Sequence, residues 1–245
     1  MPEISIKAET IFHIGGIPVT NSLLLSVLVF IMFVFISYKY YVDSAAPKKS
    51  TFFYFFNFIL KSIYTMFSSI LKEKIHFFFP LLASFLLFIL FQNWFGLLPG
   101  VGSLLIRVVE DHEDKLVPLF RGNNADLNAT LSLAILSVFL TQIFGIKYVG
   151  FKSYIKKFIN FSNPIAFFTG ILEVISEVSK VISFSFRLFG NIFAGEVLLA
   201  IMAFLIPILA SFPFLLLELF VGLIQALVFS MLTAVFLNMA TTKEH

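Results

Sequence analysis

The sequence contains no cysteine and few charged residues, and both features exclude classes of function. Without cysteine there are no disulfides, no thiolate catalysis and no cysteine-ligated metal centres. Charged residues make up 13% of the 245 positions, whereas soluble domains carry about 25%. No phosphate-binding glycine motif or nucleophile elbow occurs, and the four histidines are scattered. We therefore predict no catalytic site on this chain, no metal site and no cofactor. The formal charge of +3 gives no reason to expect nucleic acid as a partner.

Long apolar runs dominate the chain instead. Hydrophobic residues make up 59% of it, and the mean hydropathy is +0.99. A helix needs about 20 apolar residues to cross the hydrocarbon core of a bilayer, which predicts three separate spans at 21–41, 77–98 and 128–149. The apolar stretch 164–240 is interrupted by Pro207 and Pro213, which divide it into helices of roughly 164–204 and 211–240. Both are longer than an upright crossing requires, which predicts strong tilt.

The stretch 50–74 differs from these spans because its apolar runs are shorter, it is rich in aromatic residues and it carries three lysines. That pattern favours a helix lying in the membrane interface over a sixth crossing. The first apolar run lacks the basic segment that precedes a cleavable signal, so we expect it to be retained. The prediction is an all-α membrane protein with one integral membrane domain over 1–245. It has about five embedded helices, the last two long and strongly tilted, and one interfacial amphipathic helix.

The loops between the spans differ in charge, and the difference predicts orientation. Lysines crowd the connections 39–74 and 147–157, whereas acidic residues crowd the loop 99–127. The positive-inside rule places the lysine-rich connections in the cytoplasm. The tail 1–20 is then outside, the three spans of 21–149 alternate in direction, and the carboxyl terminus is inside. The two long tilted helices of 164–240 would carry the ion path.

Arg187 stands near the middle of the fourth apolar helix, within the segment 183–196. A guanidinium does not lose its charge in a protein. Placing one at the centre of a bilayer costs from about 3 to more than 10 kcal/mol, so such a residue is by default a functional-site candidate. Arg187 also lies far from both ends of its helix, which argues against a side chain that merely reaches the interface. It needs a partner, a water-filled cavity or a function.

Other polar residues of the last two helices form a pattern around Arg187. At about 100° per residue, Glu196 falls on the opposite side of the helix from Arg187. Carboxylates can relay protons because their surroundings move their pKa values, and a fixed cation between two groups of acids would block a continuous relay. The pattern indicates two half-channels separated by a charge. Toward the outer side lie Asp126, Glu196 and Glu218; toward the cytoplasm lie Glu173, Glu177 and Lys180; the amides are Asn191 and Gln225.

Several of these residues also have a purely structural explanation. The acids and the lysine of 173–180 fit i, i+3 and i+4 ion pairs near a helix end. Asp126 is placed to cap the third span. Glu196 and Glu218 could pair as protonated acids that hold two helices together. The residues by themselves leave both explanations open.

The segment 187–196 contains Arg-Leu-Phe-Gly-Asn followed by Ala-Gly-Glu, and it resembles the signature of subunit a of F-type ATP synthase, called subunit 6 in mitochondria. Further segments resemble the same family, in order and nearly from end to end. A single short match of this kind is weak, but an ordered series around an intramembrane arginine is specific. The further segments are 11–21, 93–100, 125–132, 172–180 and 225–233.

The resemblance implies a non-catalytic, proton-translocating stator of the membrane sector, against which a ring of c subunits rotates. Its partners would be that ring, the b-subunit peripheral stalk, the rest of the ATP synthase and the lipid bilayer. Arg187 would face the carboxylate of each passing c subunit and prevent protons from short-circuiting between the half-channels. The other implied positions are Gln225 beside Arg187, Asn191 supporting the site, Glu173 on the cytoplasmic side, and Glu196, Glu218 and Asp126 along the outer access path.

The amino-terminal match and the length favour a bacterial plasma membrane over the mitochondrial inner membrane. The main alternative function is a secondary proton- or cation-coupled transporter. Such folds often contain internal repeats, and no second segment resembles 183–196. A structural or assembly protein is a third class, but it would not need opposed acids around an arginine.

Overall fold

The computed structural model describes residues 8–98, 100–102, 104–110, 113–161, 163–205 and 211–242. Part of the tail 1–20, the loop residues Asp111 and His112, and Pro207 lie outside this range. The described residues form seven α-helices. These are α1 (Asn21–Ala45), α2 (Thr51–Leu71), α3 (Ile75–Gly96), α4 (Leu127–Val149), α5 (Phe151–Phe158), α6 (Pro164–Leu205) and α7 (Ser211–Thr241).

Five helical segments are long and apolar enough to cross a membrane: α1, the continuous pair α2–α3, α4, α6 and α7. The prediction of an all-α membrane protein with about five long apolar helices is therefore confirmed. The 42 residues of α6 correspond to roughly 60 Å of helix, about twice the hydrocarbon thickness. An upright α6 would project far beyond the bilayer.

The helix ends follow local signals in the sequence. Thr20 Oγ1 accepts a hydrogen bond from Leu23 N at 3.3 Å and caps α1, and Ser50 Oγ caps α2 in the same way through Phe53 N at 3.2 Å. These bonds satisfy amides that have no partner in the first helical turn. Pro164 opens α6, at a position where its missing N–H costs nothing. Capping residues and proline thus set boundaries within a few residues of those predicted.

α2 occupies most of the stretch predicted as an interfacial helix. It ends in a short 3-10 turn, Lys72–Lys74, that leads directly into α3. One side of α2, with Ile63 and Phe67, is buried against α3 and α7, whereas Tyr54 and Phe58 on the other side are exposed. α2 is therefore amphipathic in its packing, and its interfacial position stays a prediction.

α3 and α7 form the centre of the molecule. One cluster of buried side chains joins them to α2 around Phe67, Phe78 and Leu237, and a second joins them to α4 and α6 around Ile89 and Phe184. Between helices in a bilayer, such packing is favoured by van der Waals contact rather than by removal of apolar surface from water. α6 and α7, which carry the polar residues, are thereby held against a fixed core.

Two antiparallel hairpins add to the helical fold. β1 (Thr10–Ile14) and β2 (Ile17–Thr20) are joined by Gly15 and Gly16, both at positive φ, as a two-residue hairpin turn requires. β3 (Leu105–Glu110) pairs with β4 (Glu113–Pro118). The buried Asn21 connects the hairpins: its N–H donates to Glu9 O at 3.0 Å, and its side-chain amide donates to Pro118 O at 3.3 Å. Both hairpins therefore cover the same end of the helix bundle.

Candidate functional site

Arg187 lies on the surface of the folded chain, in the middle part of α6. Phe184 and Leu188 of α6 are buried in the core. Ser183, Arg187 and Asn191, spaced by four residues, lie on the exposed side. Arg187 Nη2 donates to Ser183 Oγ at 3.1 Å, and no carboxylate among the described residues forms a salt bridge with it. The guanidinium is therefore presented outward, away from the acids of its own chain.

Gln225 of α7 lies beside Arg187. The two residues line one small cleft, whose apolar walls are Phe184, Leu188 and Phe229. Its volume is about 10 Å³, roughly the space that one water molecule needs. Within the described part of the chain, Gln225 has no hydrogen-bond partner, so its amide is available to the arginine or to water.

A larger cavity lies between α6, the end of α3 and the connection 97–125, and we call it the loop cavity. Its volume is about 220 Å³, and Glu196, Arg121 and Asn93 are among its lining residues. Glu196 extends from α6 and Arg121 from the connection. The loop cavity thus brings a carboxylate and a guanidinium from distant parts of the sequence to one polar space.

Arg121 and Glu196 form an ion pair in the loop cavity. Arg121 Nε lies 3.4 Å from Glu196 Oε1, and the Arg121 side chain is 7% exposed whereas that of Glu196 is 40% exposed. The guanidinium carbon also lies 6.0 Å from the centre of the Phe193 ring, within reach of a cation–π interaction. Glu196 Oε2 accepts no hydrogen bond from the described residues. One oxygen lies beside arginine, whereas the other is buried and has no hydrogen-bond donor within the described part of the chain.

Glu218 of α7 is buried against α6. Its carboxyl group occupies the space beside Gly195, where a Cβ atom would stand 1.9 Å from Glu218 Cδ. Glu218 is 5% exposed and makes no hydrogen bond or salt bridge within the described part of the chain. The Glu218 carboxyl group is therefore packed against Gly195. Glu196 pairs with Arg121 rather than with Glu218.

Asp126 is a helix cap as well as a buried acid. Its Oδ1 accepts from Asn128 N at 3.0 Å, at the start of α4, and its Oδ2 accepts from Ser22 Oγ at 3.1 Å. Asp126 is 7% exposed, and both of its oxygens are engaged. The structure thus places the predicted cap at this position and ties it to α1, while Ala125, the preceding residue, lines the loop cavity.

Asn93 joins three elements at the same end of the molecule. Its Nδ2 donates to Gly222 O on α7 at 2.8 Å, and its Oδ1 accepts from Asn124 Nδ2 at 2.6 Å. Trp94 Nε1 donates to Leu219 O at 3.0 Å. The side chains that end α3 therefore bind backbone carbonyls of α7 within one turn of Glu218. They fix the height of Glu218 relative to the loop cavity.

The other group of acids lies toward the beginning of α6. Glu173 pairs with Lys157 of α5 at 2.7 Å. Glu177 pairs with Lys180 at 2.6 Å and accepts from Gln142 Nε2 of α4 at 2.8 Å. The local pair predicted between Glu177 and Lys180 is present, whereas Glu173 bonds to a neighbouring helix. Both acids therefore tie α6 to the elements beside it.

Tyr154 of α5 completes this cluster. Its hydroxyl donates to Gln142 Oε1, and its ring packs against Gly145 of α4, where a Cβ would stand 2.4 Å from Tyr154 Cε2. Burial, followed by the charges of Glu177 and Glu173, raises the pKa of Tyr154 to about 12. The phenol is therefore a permanent hydrogen-bond donor at neutral pH.

Several residues in these arrangements were not singled out from the sequence, among them Arg121, Asn93 and Asn124. Arg121 is one cation among several charges in a loop, and nothing in its local pattern indicates burial. Asn93 belongs to a segment that resembles the family, but its bonds to α7 depend on the three-dimensional packing. The signal that could have found Arg121 is the need of Glu196 for a cation in an apolar setting.

The chain is similar to known proteins over most of its length. A family model described as "ATP synthase A chain" matches residues 20–238. The chain belongs to the ATP synthase A chain family. The resemblance seen in the segments around Arg187 is thereby confirmed.

Relatives named ATP synthase subunit a cover most of the chain. That of Syntrophobacter fumaroxidans is 35% identical over 195 residues, which are 78% of this chain and 72% of the relative. That of Legionella pneumophila is 30% identical over 241 residues, 97% of this chain and 93% of the relative. That of Moorella thermoacetica is 28% identical over 235 residues, 95% of each chain. The similarity extends along the chain and includes all five apolar segments.

Proposed function

We propose that this chain is the stator subunit of the membrane sector of an F-type ATP synthase, and that it carries protons through two offset aqueous half-channels. Arg187 separates the half-channels and faces the carboxylate of each c subunit as the c-ring turns. The proposal places the protein in a bacterial plasma membrane, with the amino terminus outside and the carboxyl terminus in the cytoplasm. Its partners are the c-ring, the b-subunit stalk and the rest of the complex.

The observation that carries the proposal is the exposed guanidinium of Arg187. It lies on the outside of an apolar helix without a carboxylate partner among the described residues. An unpaired cation facing hydrocarbon would cost several kcal/mol, so a partner from another subunit is expected. A carboxylate that approaches and then leaves would neutralise the guanidinium without forming a permanent ion pair with it.

The acids on the two sides of Arg187 support the proposed path. Glu196 lies nine residues further along α6, roughly 13 Å along the axis, and it adjoins the loop cavity. Glu173 lies roughly 20 Å in the other direction by the same rise. Glu218 and Gln225 of α7 lie between these levels, beside Gly195 and Arg187 respectively. Protons entering from one side would reach Arg187 through acids and amides, but could pass it only on a c-subunit carboxyl.

The test compares two arginines in the intact complex. Arg187→Gln should abolish ATP-driven proton pumping in inverted membrane vesicles, and Arg187→Lys should fail to restore it, because a lysine ammonium lacks the planar fork of arginine. Arg107→Gln in the exposed part of the β3–β4 hairpin is the matched control and should pump normally. Equal pumping by the Arg187→Gln and Arg107→Gln complexes would overturn the role of Arg187. Purification of the chain without a c-like hairpin protein would overturn the proposed complex.

A further inference from the structure

A second cavity lies at the opposite end of α7 from Glu218, and it is larger than the loop cavity. Its volume is about 480 Å³, within the range of ligand sites. It is bounded by α5, the end of α4 and the end of α7. We call it the basic cavity; its lining includes Ser153, Lys156, Lys157, Asn160, Met239 and Thr242.

The polar wall of the basic cavity is a single face of α5 and its continuation. Lys156 and Lys157 lie three and four residues after Ser153 and are its neighbours on the surface of α5, and Asn160 follows after the extended residue Ile159. Lys157 is bound to Glu173. Within the described part of the chain, neither Lys156 Nζ nor Ser153 Oγ has a hydrogen-bond or ion-pair partner. The cavity therefore contains an ammonium and a hydroxyl that are available to an anion.

A third cation adjoins the opposite wall. Lys74 Nζ donates to Thr241 O at 2.9 Å and to Thr242 Oγ1 at 3.3 Å, at the end of α7. The sequence between 143 and 172 contains lysines but no aspartate or glutamate. The one acid bound to a lysine of the cavity wall, Glu173, is engaged by Lys157, and Lys156 has no ion-pair partner within the described part of the chain, so the site favours an anionic ligand.

The surroundings of the cavity are apolar. Met239 lines it and is 65% exposed, and Phe151 and Ile155 on the other side of α5 are also exposed. A short helix with lysines on one side and large apolar residues on the other is typical of the membrane interface. Basic pockets between helices at that level are suited to lipid head groups. A ligand that combines a phosphate with hydrocarbon chains fits both the lysines and the exposed apolar rim.

We propose that the basic cavity binds the phosphate head group of an anionic phospholipid, with Lys156 and Ser153 as its direct contacts. The acyl chains run out over Met239 and the apolar side of α5. The bound lipid fills the space between α5 and α7 and supports the helix that carries Lys157, the partner of Glu173. Lys156 and Ser153 form no hydrogen bond or ion pair within the described part of the chain, so lipid retention can be measured separately from proton transport.

The test measures lipid retention by the full chain, purified with the subunits that assemble with it. The complex is reconstituted in vesicles of phosphatidylglycerol and phosphatidylcholine and extracted again in mild detergent, and the bound lipid is identified by mass spectrometry. Lys156→Gln should lower the retained phosphatidylglycerol about fivefold, the equivalent of about 1 kcal/mol for one basic side chain. Lys152→Gln removes the same charge from the same helix, but Lys152 does not line the cavity, so retention should be unchanged.

Three results would overturn the proposal. Equal losses in the Lys152→Gln and Lys156→Gln complexes would mean general attraction to the basic helix rather than a site. Displacement of the phosphatidylglycerol by excess inorganic phosphate would mean a site for free phosphate. Retention of phosphatidylglycerol no greater than that of phosphatidylcholine in the unchanged protein would mean no anionic preference. Ser153→Ala, which keeps every charge, should give a smaller loss than Lys156→Gln and checks that the effect is local.

Discussion

The carboxyl group of Glu218 on α7 packs directly against Gly195 of α6. It fills the space that the side chain of any residue larger than glycine would need at position 195. A Cβ at position 195 would stand 1.9 Å from Glu218 Cδ and 2.0 Å from Oε2. The next residue along α6 is Glu196, which faces the loop cavity. The close helix contact at Gly195 therefore positions the buried Glu218 beside the helix turn that carries Glu196.

Gly195→Ala should displace Glu218 and impair proton transport. Overfilling a packed contact costs about 1–3 kcal/mol, and here the displaced group is an acid of the proposed path. We expect ATP-driven proton pumping to fall by about tenfold, the factor that corresponds to about 1.4 kcal/mol. Glu218→Asp, which shortens the side chain, should restore part of the pumping when combined with Gly195→Ala. A Gly195→Ala complex that pumps normally would contradict the steric role of this contact.

Arg121 and Glu196 should act as a pair. Arg121→Gln removes the cation from a carboxylate beside the loop cavity, and Glu196→Gln leaves the buried arginine without that partner. Charged groups deprived of a partner cost about 1–3 kcal/mol. We therefore expect each single change to reduce proton pumping severalfold. The measurement is a double-mutant cycle on proton flux in vesicles.

The cycle distinguishes a coupled pair from two residues that act independently. If the pair acts as a unit, the double variant should pump no worse than Glu196→Gln alone. Arg121→Lys should fall between Arg121→Gln and the unchanged protein, because lysine retains the charge but not the planar geometry. Strictly additive losses would show that Arg121 serves only to hold the loop.

The spans and Arg187 could be predicted because their signals are one-dimensional. A run of apolar residues as long as the bilayer is thick is visible without structure, and so is a charge that interrupts it. Thr20, Ser50 and Asp126 lie at the helix starts, where capping residues are favoured. These features depend on neighbours in the sequence.

The ion pair of Arg121 and Glu196 could not be predicted in the same way. It forms because the connection after α3 folds back over α6, and charge spacing along a single helix contains no information about that. Glu173 illustrates the same limit, because its partner is Lys157 of α5 rather than a lysine of its own helix. The hairpins likewise depend on contacts such as that of Asn21 with Pro118.

Glu177 and Lys180 should be structural rather than part of the relay. Their side chains are 16% and 19% exposed, and Lys180 also lies 4.6 Å from the centre of the Phe236 ring. Glu177→Gln leaves the ammonium without its counter-charge, so we expect a loss of about 1–3 kcal/mol in stability. Thermal unfolding of the purified complex would measure it. Glu73→Gln, at an exposed acid, is the control and should leave the melting temperature unchanged.

Two further measurements would distinguish a structural role of Glu177 and Lys180 from a role in proton transport. The double change Glu177→Gln with Lys180→Gln should cost less than the sum of the single changes, because no uncompensated charge remains. Below its melting temperature, the Glu177→Gln complex should still pump protons. Complete loss of pumping in a complex of unchanged thermal stability would assign Glu177 to the inner half-channel.

Tyr154 should make stability sensitive to alkaline pH. Its pKa is raised from 10.0 to about 12, so between these values the folded chain keeps a proton that the unfolded chain has lost. The stabilisation is fully present below pH 10 and is lost as the pH rises through about 12. Tyr154→Phe has no such proton. The stability advantage of the unchanged protein over Tyr154→Phe should therefore shrink across this range, as measured by unfolding at fixed temperature.

The titration of Tyr154 can also be followed directly by absorbance. The tyrosinate absorbance difference between the unchanged protein and Tyr154→Phe should appear near pH 12. A midpoint near pH 10 would show that the phenol is not protected by burial and by the charges of Glu177 and Glu173.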